Sequence, residues 1–291
     1  MSDVIELPIN DWELTCSTRL QALALESLEK GNVLLLPNLS FALDADEQRT
    51  LTAAVDTDAK NVSLDASRQT LRGSGADAQM QRILQGAMSR FAQATQSLLA
   101  GVLPRYTAGL QAGRTSFRPA EISGRKTSWR KDDTRLHVDS FPSSPTQGKR
   151  ILRVFTNVNP NATSRVWRLG EPFVDVVQRF VPSLPHPIPG SAPLLDFLGI
   201  TKSRRSRYDH YMLHLHDRMK SDWTYQAEVK HTTHHFLPDN TWIVFTDQTS
   251  HAAMSGQFAF EQTYYLPVDS LQTPAQSPLG VLEKFFGRTL I

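Results

Sequence analysis

Past Pro104 the texture of the chain changes. Short runs rich in Val, Ile, Thr, Phe and Tyr alternate with clusters of Pro, Gly, Ser and Asn. Such punctuation restricts the fold more than any other feature. The runs at 114–118, 133–138, 150–158, 226–236, 241–246 and 258–266 predict strands. Many short strands between turn signals predict an antiparallel sandwich or barrel. A Pro-rich loop at 182–193 and a helix over 206–220 interrupt the series.

The first third predicts helices. Ser17 is placed to cap one that carries Leu20, Leu23, Leu25 and Leu28 and ends at Gly31. Asp44 to Val55 predicts a second. Gln81 to Leu103 predicts a third, with Leu84, Met88, Phe91, Ala94, Leu98 and Val102 recurring at three- and four-residue steps. That period gives one apolar face, so these are core positions. Between the first two helices, Val33 to Leu36 before Pro37 suits a buried strand. The chain shows no internal repeat, low-complexity tract or obvious linker. The reading is a single α+β domain, with a mainly helical part at 1–110 packed on a β-core at 111–270. A helical insertion at 201–222 and a tail at 271–291 complete it.

No apolar run reaches the roughly eighteen residues of a membrane span. The N-terminal MSDVIELPINDWEL lacks the basic start and apolar stretch of a secretory signal. Cys16 is the only cysteine, which excludes an internal disulfide and suits a reducing cytoplasm. Charge is unevenly spread although the net is only +2. Residues 111–135 hold 7 basic against 3 acidic residues, and residues 201–220 hold 6 against 2. Two basic stretches in a near-neutral chain point to an anionic partner. Nucleic acid is not expected, since no recognisable binding motif accompanies them.

His137-Val138-Asp139 stands where a β-run meets a Pro/Ser loop. In extended backbone, residues two apart share a face, so imidazole and carboxylate can converge on one ion. With a distant histidine, such a pair forms the facial triad of non-haem iron oxygenases, which leaves neighbouring coordination positions open. The third ligand must come from another strand. His251 follows the run Trp242 to Phe245 and precedes Ala-Ala-Met-Ser-Gly256, which favours it. His231, His234 and His235 compete from one strand. His210 and His214 sit four apart on the predicted helix but lack an HExxH context.

Oxygenases of this class usually take 2-oxoglutarate, whose far carboxylate needs a cation. An Arg or Lys about ten residues beyond the distal histidine is common, and Arg offers paired hydrogen bonds. Here position 261 is Glu. Along the run 150–159, Arg153, Phe155, Asn157 and Asn159 alternate onto one face. An arginine inside an apolar strand either faces solvent or meets an anion. Arg153 is therefore the first candidate for the cosubstrate, with Asn157 beside it and Arg118 on an earlier strand as a second cation.

Three stretches carry a resemblance. RLHVDSFPSSPTQGKRILRVFTNVNP at 135–160, SRYDHYMLHLHDRMKSD at 206–222 and TDQTSHAAMSGQFAFEQTYYLP at 246–267, with GNVLLLP at 31–37, make the chain similar to the bacterial Kdo hydroxylases. These are Fe(II)/2-oxoglutarate dioxygenases that modify 3-deoxy-D-manno-oct-2-ulosonic acid (Kdo) on lipid A precursors. The resemblance implies a double-stranded β-helix (jelly-roll) core and His137, Asp139 and His251 as iron ligands. It also implies hydroxylation at carbon 3 of Kdo. The substrate would be a lipid-linked acidic sugar at the cytoplasmic face of the inner membrane, with peripheral membrane contact. The segment 202–220 then suggests Arg204, Arg205, Arg207, Tyr208 and Tyr211 as substrate contacts. In the tail, Val281, Leu282, Phe285, Phe286, Leu290 and Ile291 surround Lys284 and Arg288, a mixture suited to an interface. The alternatives are an iron oxygenase for another small or sugar-acid substrate, and a sugar-binding barrel without catalysis.

Overall fold

The computed structural model describes residues 1–54, 61–65 and 70–291. After strand β1 (Val4–Glu6), Ser17 accepts the Leu20 amide and starts α1 (Thr18–Glu29). Gly31, at φ 86°, takes the left-handed conformation that ends it. Strand β2 (Val33–Leu36) is buried at every position. A reciprocal Asp44/Glu47 capping box opens α2 (Ala45–Ala53). The expected end of this helix, Val55, lies outside the described residues. Strands β3 (Val62–Asp65) and β4 (Thr70–Arg72) then precede α3 (Ala78–Val102), which Asp77 caps.

The remaining elements are β5 (Gln111–Arg118), β6 (Arg150–Asn157), β7 (Arg165–Leu169), α4 (Phe173–Phe180), α5 (Ser191–Phe197), α6 (Arg207–Ser221) and α7 (Trp223–Glu228). Strands β8 (Thr232–Phe236), β9 (Thr241–Phe245), β10 (His251–Ser255) and β11 (Ala259–Leu266) lead to α8 (Pro278–Phe286).

Eight strands form one sheet in the order β1-β2-β9-β6-β11-β5-β3-β4, antiparallel except for β1 with β2. A smaller antiparallel sheet runs β10-β7-β8. The two face each other across Phe155, Trp167, Phe236 and Trp242, whose rings stack or meet edge to face. Two such facing sheets are consistent with the expected jelly-roll, and the α+β class holds. On the outer face of the large sheet, Leu152, Val154, Ile243 and Phe245 pack under α1 and α3. The period-two alternation of β9 thus sends Trp242 and Val244 inward and Ile243 and Phe245 outward. On the side of the small sheet, α4, α6 and α8 share a third apolar cluster. Among the described residues no helix is long and apolar enough to cross a membrane.

Two strand expectations need correction. Residues 133–138 do not form a strand, because Asp132 takes both the Thr134 amide and hydroxyl and the Arg135 guanidinium, which bends the chain. Only His137 pairs, exchanging amide bonds of 3.0 and 2.9 Å with His251. The run 226–236 begins as helix, since Asp222 accepts the Tyr225 amide and starts α7; only its second half is β8. Strands β7 and β10 were outside the expected set, being five residues each and bounded by Ser, Gly and Thr.

Candidate metal centre and its cavity

His137 and His251 lie opposite each other at the edge of the small sheet, and Asp139 follows two residues on. Its amide is held by the Thr246 carbonyl at 2.8 Å. One ligand atom from each of His137, Asp139 and His251 lies within 4.8 Å of the others, and His137 Nε2 is 3.7 Å from Asp139 Oδ1. All three are buried. His137 Nδ1 donates to the Arg135 carbonyl at 2.7 Å, and His251 Nδ1 donates to the Thr249 carbonyl at 2.8 Å. Each ring therefore commits its proton to the backbone and turns an unprotonated Nε2 toward the shared space, the tautomer a metal requires. Trp167 stacks on His251 at 5.1 Å and fixes that ring's plane.

Electrostatics agree with this donor set. Burial, reinforced by Lys220, keeps His137 well below the usual imidazole range. Burial also lowers His251, against the pull of Asp139. Burial alone would raise the Asp139 carboxyl, but Arg153 and His251 hold it down at about 2. Two neutral imidazoles and one carboxylate on one side of a cavity fit a divalent first-row ion with open positions. Among the described residues, this is the one group of three or more His, Cys, Asp or Glu side chains so arranged. Of the competing histidines, His231 bonds the Val229 carbonyl and His210 the Pro185 carbonyl, both outside the group.

The triad opens into a cavity of about 500 Å³. Arg153, Arg118 and Arg165 line it together with Phe155, Trp167 and His216. Arg153 is not free: its guanidinium lies 3.0 Å from Asp139 Oδ2 and 3.3 Å from Glu261 Oε1. Arg118 donates to Glu261 through Nε at 2.6 Å. Glu261, at the position where a cation was expected, thus binds both predicted arginines. Arg165 differs. It is buried and has no carboxylate at ion-pair distance among the described residues; its Nη1 donates to the Gly256 carbonyl at 3.3 Å, and its Nε, like that of Arg153, has no hydrogen-bond partner there. Burial, with Arg118 nearby, pulls its guanidinium down to about 10. A buried cation with an orphaned donor beside an open cavity is a receptor for an anionic oxygen.

Asn157 does not belong to this cavity, which corrects its assignment to the cosubstrate. Its amide donates to the Thr163 and Phe236 carbonyls at 3.1 and 3.0 Å and its Oδ1 accepts the Asn159 amide, so it clamps a loop. Tyr208 and Tyr211 are likewise corrected as substrate contacts. Both are buried, and Tyr211 stacks on Phe286 at 4.3 Å while its hydroxyl meets His186. Arg204, Arg205 and Arg207 line a separate groove of about 620 Å³ rather than the triad's cavity. In the tail, Leu282 and Leu290 are buried against the protein, and Phe285 and Ile291 stay exposed.

The sequence reading missed Arg165, Trp167 and His216. His216 meets His137 edge to face at 5.4 Å. Its Nδ1 donates to Asp217 Oδ1 at 3.0 Å, and Asp217 Oδ2 accepts Arg130 Nε at 3.0 Å. The signals were present. Arg165 and Trp167 alternate in RVWRL, and Leu213, His216, Asp217 and Lys220 recur at three- and four-residue steps on α6, all lining the cavity.

Comparison with known proteins adds a family. A family model described as 3-deoxy-D-manno-oct-2-ulosonic acid (Kdo) hydroxylase matches residues 11–289. A crystal structure of the Kdo hydroxylase KdoO, a non-haem Fe(II) alphaketoglutarate-dependent dioxygenase, in complex with alphaketoglutarate and Fe(III), is 46% identical with a TM-score of 0.95. The match covers 100% of this chain and 98% of that one. The cobalt(II) complex of KdoO gives 46% identity and a TM-score of 0.95 over 99% and 97% of the two chains. Its apo structure gives 46% and 0.95 over 100% and 98%. A search of curated proteins gave no match.

Proposed function

The chain belongs to the Kdo hydroxylase family, and on that premise we propose that it hydroxylates carbon 3 of Kdo carried on a lipid A precursor, using a centre built from His137, Asp139 and His251. It is a non-haem Fe(II)/2-oxoglutarate dioxygenase. The observation that carries the residue assignment is the pair of imidazoles whose Nδ1 protons are given to backbone carbonyls beside a depressed carboxylate. When bound, ferrous iron with 2-oxoglutarate and dioxygen supplies the oxidising chemistry that replaces a C–H bond by C–OH.

The protein's own groups do the rest. His137, Asp139 and His251 hold the ion on one side. Arg153 keeps Asp139 ionised and, with Arg118, neutralises Glu261, so this cluster is largely self-compensated. The far carboxylate of 2-oxoglutarate is therefore assigned to Arg165, which lines the same cavity and, among the described residues, has a backbone carbonyl but no carboxylate as its partner. Trp167 and Phe155 give that cavity aromatic walls. Arg130, Lys131 and Lys220 line the same cavity and suit the carboxylate of a sugar acid. His216, oriented by Asp217, offers Nε2 to a sugar hydroxyl.

The direct test is reaction of the purified protein with ferrous iron, 2-oxoglutarate, ¹⁸O-labelled dioxygen and Kdo-bearing lipid A precursor. Mass spectrometry should place a single labelled oxygen on the Kdo unit. Consumption of 2-oxoglutarate with the Kdo region unchanged would assign the enzyme to another substrate.

A further inference from the structure

Exposed apolar side chains are concentrated in one place. Of thirteen large ones among the described residues, five lie between residues 188 and 200: Ile188, Leu194, Phe197, Leu198 and Ile200. Phe197 is 87% exposed and Ile188 72%. Helix α5 is bracketed by Gly190 at φ 81° and Gly199 at φ 67°, left-handed positions that allow a sharp change of chain direction at each end. Single exposed apolar residues need no explanation, but a contiguous ridge marks a binding surface.

The surroundings of this ridge are cationic. Over residues 185–207 the basic residues are Lys202, Arg204, Arg205 and Arg207, and Asp196 is the one acid. Lys202, Arg204 and Arg207 are exposed. The neighbouring groove mixes both characters, being lined by Ile188, Leu195, Arg204, Arg205, Arg207 and Ile291. A second copy of the chain would bring the same positive rim and be repelled. A surface with apolar depth and anionic headgroups is complementary on both counts.

We propose that residues 188–200, with the rim of Lys202, Arg204 and Arg207, dock the protein on an anionic lipid bilayer. The ridge enters the boundary between headgroups and acyl chains while the cations meet lipid phosphates. Two contacts tie this surface to the metal cavity. The Lys202 amide donates to the Ser143 carbonyl at 3.0 Å, and the Arg205 guanidinium donates to the Pro142 carbonyl at 2.8 Å. Ser140, Phe141 and Pro142 of that same loop line the cavity. Docking would thus set the cavity beside the bilayer. That purpose rests on the proposed lipid-borne substrate, whereas adsorption to lipid does not. The membrane contact moves from the tail, whose Leu282 and Leu290 are buried, to α5 and its flanks.

The test is co-sedimentation of the full chain with phosphatidylcholine vesicles, with and without phosphatidylglycerol. Binding is expected only with the anionic lipid and should weaken as salt rises, because exposed charges are screened beyond roughly 10 Å at 0.1 M. The double variant Phe197→Ser/Ile200→Ser should bind about tenfold or more weakly, since each large apolar group loses its burial. It should hydroxylate a deacylated, water-soluble Kdo saccharide as well as the unmodified protein does. Equal vesicle binding by the two proteins, no binding by either, or ridge-dependent dimers in sedimentation equilibrium would overturn the proposal. Failure of both proteins to oxygenate the soluble saccharide, with vesicle binding intact, would instead count against the proposed function.

Discussion

Along β6, neighbouring residues face two different chemistries. Leu152 and Val154 turn outward into an apolar layer shared with α1 and α3. Arg153 and Phe155, one position along in each case, turn inward to the cavity. The outer face is closed by shape and dispersion alone. The inner face keeps cations, carboxylates and an orphaned donor in a buried space, which is costly unless something binds there. Two buried arginines sharpen the contrast. Arg150 has its own carboxylate, Asp247 at 2.7 Å, and rests on the Phe245 ring at 3.8 Å. Arg165 has, among the described residues, only a backbone carbonyl at 3.3 Å and no carboxylate. A buried charge supplied with its partner by the fold is scaffold, and one left waiting beside a cavity belongs to a site.

The largest effects should separate the two faces outright. His137→Ala, Asp139→Ala and His251→Ala should each remove detectable oxygen insertion, and in the two histidine variants the thermal unfolding midpoint should stay close to that of the unmodified protein. On the other face, Leu152→Ala should lower stability by about 2–5 kcal/mol through a lost apolar group and the cavity it leaves. Denaturant unfolding would show this, and the folded fraction should retain activity. A histidine variant that unfolds, or a Leu152→Ala protein that stays stable but inactive, would break the comparison.

Next in size is the choice between arginines. Arg165→Leu should raise the 2-oxoglutarate requirement on the order of a hundredfold, as expected for loss of a charge-assisted contact. Arg153→Leu should instead destabilise the protein, because Asp139 and Glu261 would be left buried without their shared cation. Titration of both variants with the cosubstrate decides between them. Unchanged dependence in Arg165→Leu, with a large rise in Arg153→Leu, would return the anchor to Arg153.

His216→Ala should act more modestly, at about tenfold, the scale of one hydrogen bond. The expected signature is less hydroxylated product per 2-oxoglutarate consumed, with the cosubstrate requirement unaltered. Equal coupling in that variant would leave His216 a wall residue only. The smallest effect belongs to the groove: Arg204→Ser/Arg205→Ser/Arg207→Ser should slow turnover of lipid substrate only a few-fold, since exposed ion contacts are weak. The loss should shrink as salt rises, and uncoupled 2-oxoglutarate consumption should persist. Undiminished turnover at low salt would show these arginines to be solvated surface.

The same contrast explains what the sequence made legible. Core positions followed from period alone, as in α3, where Leu84, Met88, Phe91 and Leu98 are all buried. His137 and Asp139 were readable because residues two apart in extended backbone share a face and can converge, although only His137 pairs in the structure. Pairing partners were not readable. Nothing local says that Glu261 neutralises Arg118 and Arg153, because register between β11, β5 and β6 decides it. Asn157 shares a face with Arg153 in sequence, but a loop carbonyl and the end of β8 capture its amide. Tyr208 and Tyr211 looked like surface beside basic residues, until α4 and α8 covered their side of α6. Short strands such as β7 carry too few residues to announce themselves, and that strand holds the arginine the site needed.

The central claim, that the inner face is a metal centre completed by this chain's two histidines and aspartate, is most directly tested by anaerobic calorimetric titration with ferrous iron. The unmodified protein should take up one ion per chain, and so should Leu152→Ala while it remains folded. His137→Ala and His251→Ala should lose that stoichiometric uptake with their circular dichroism unchanged. One tightly bound ion per chain persisting in both histidine variants would contradict the account and place the metal elsewhere.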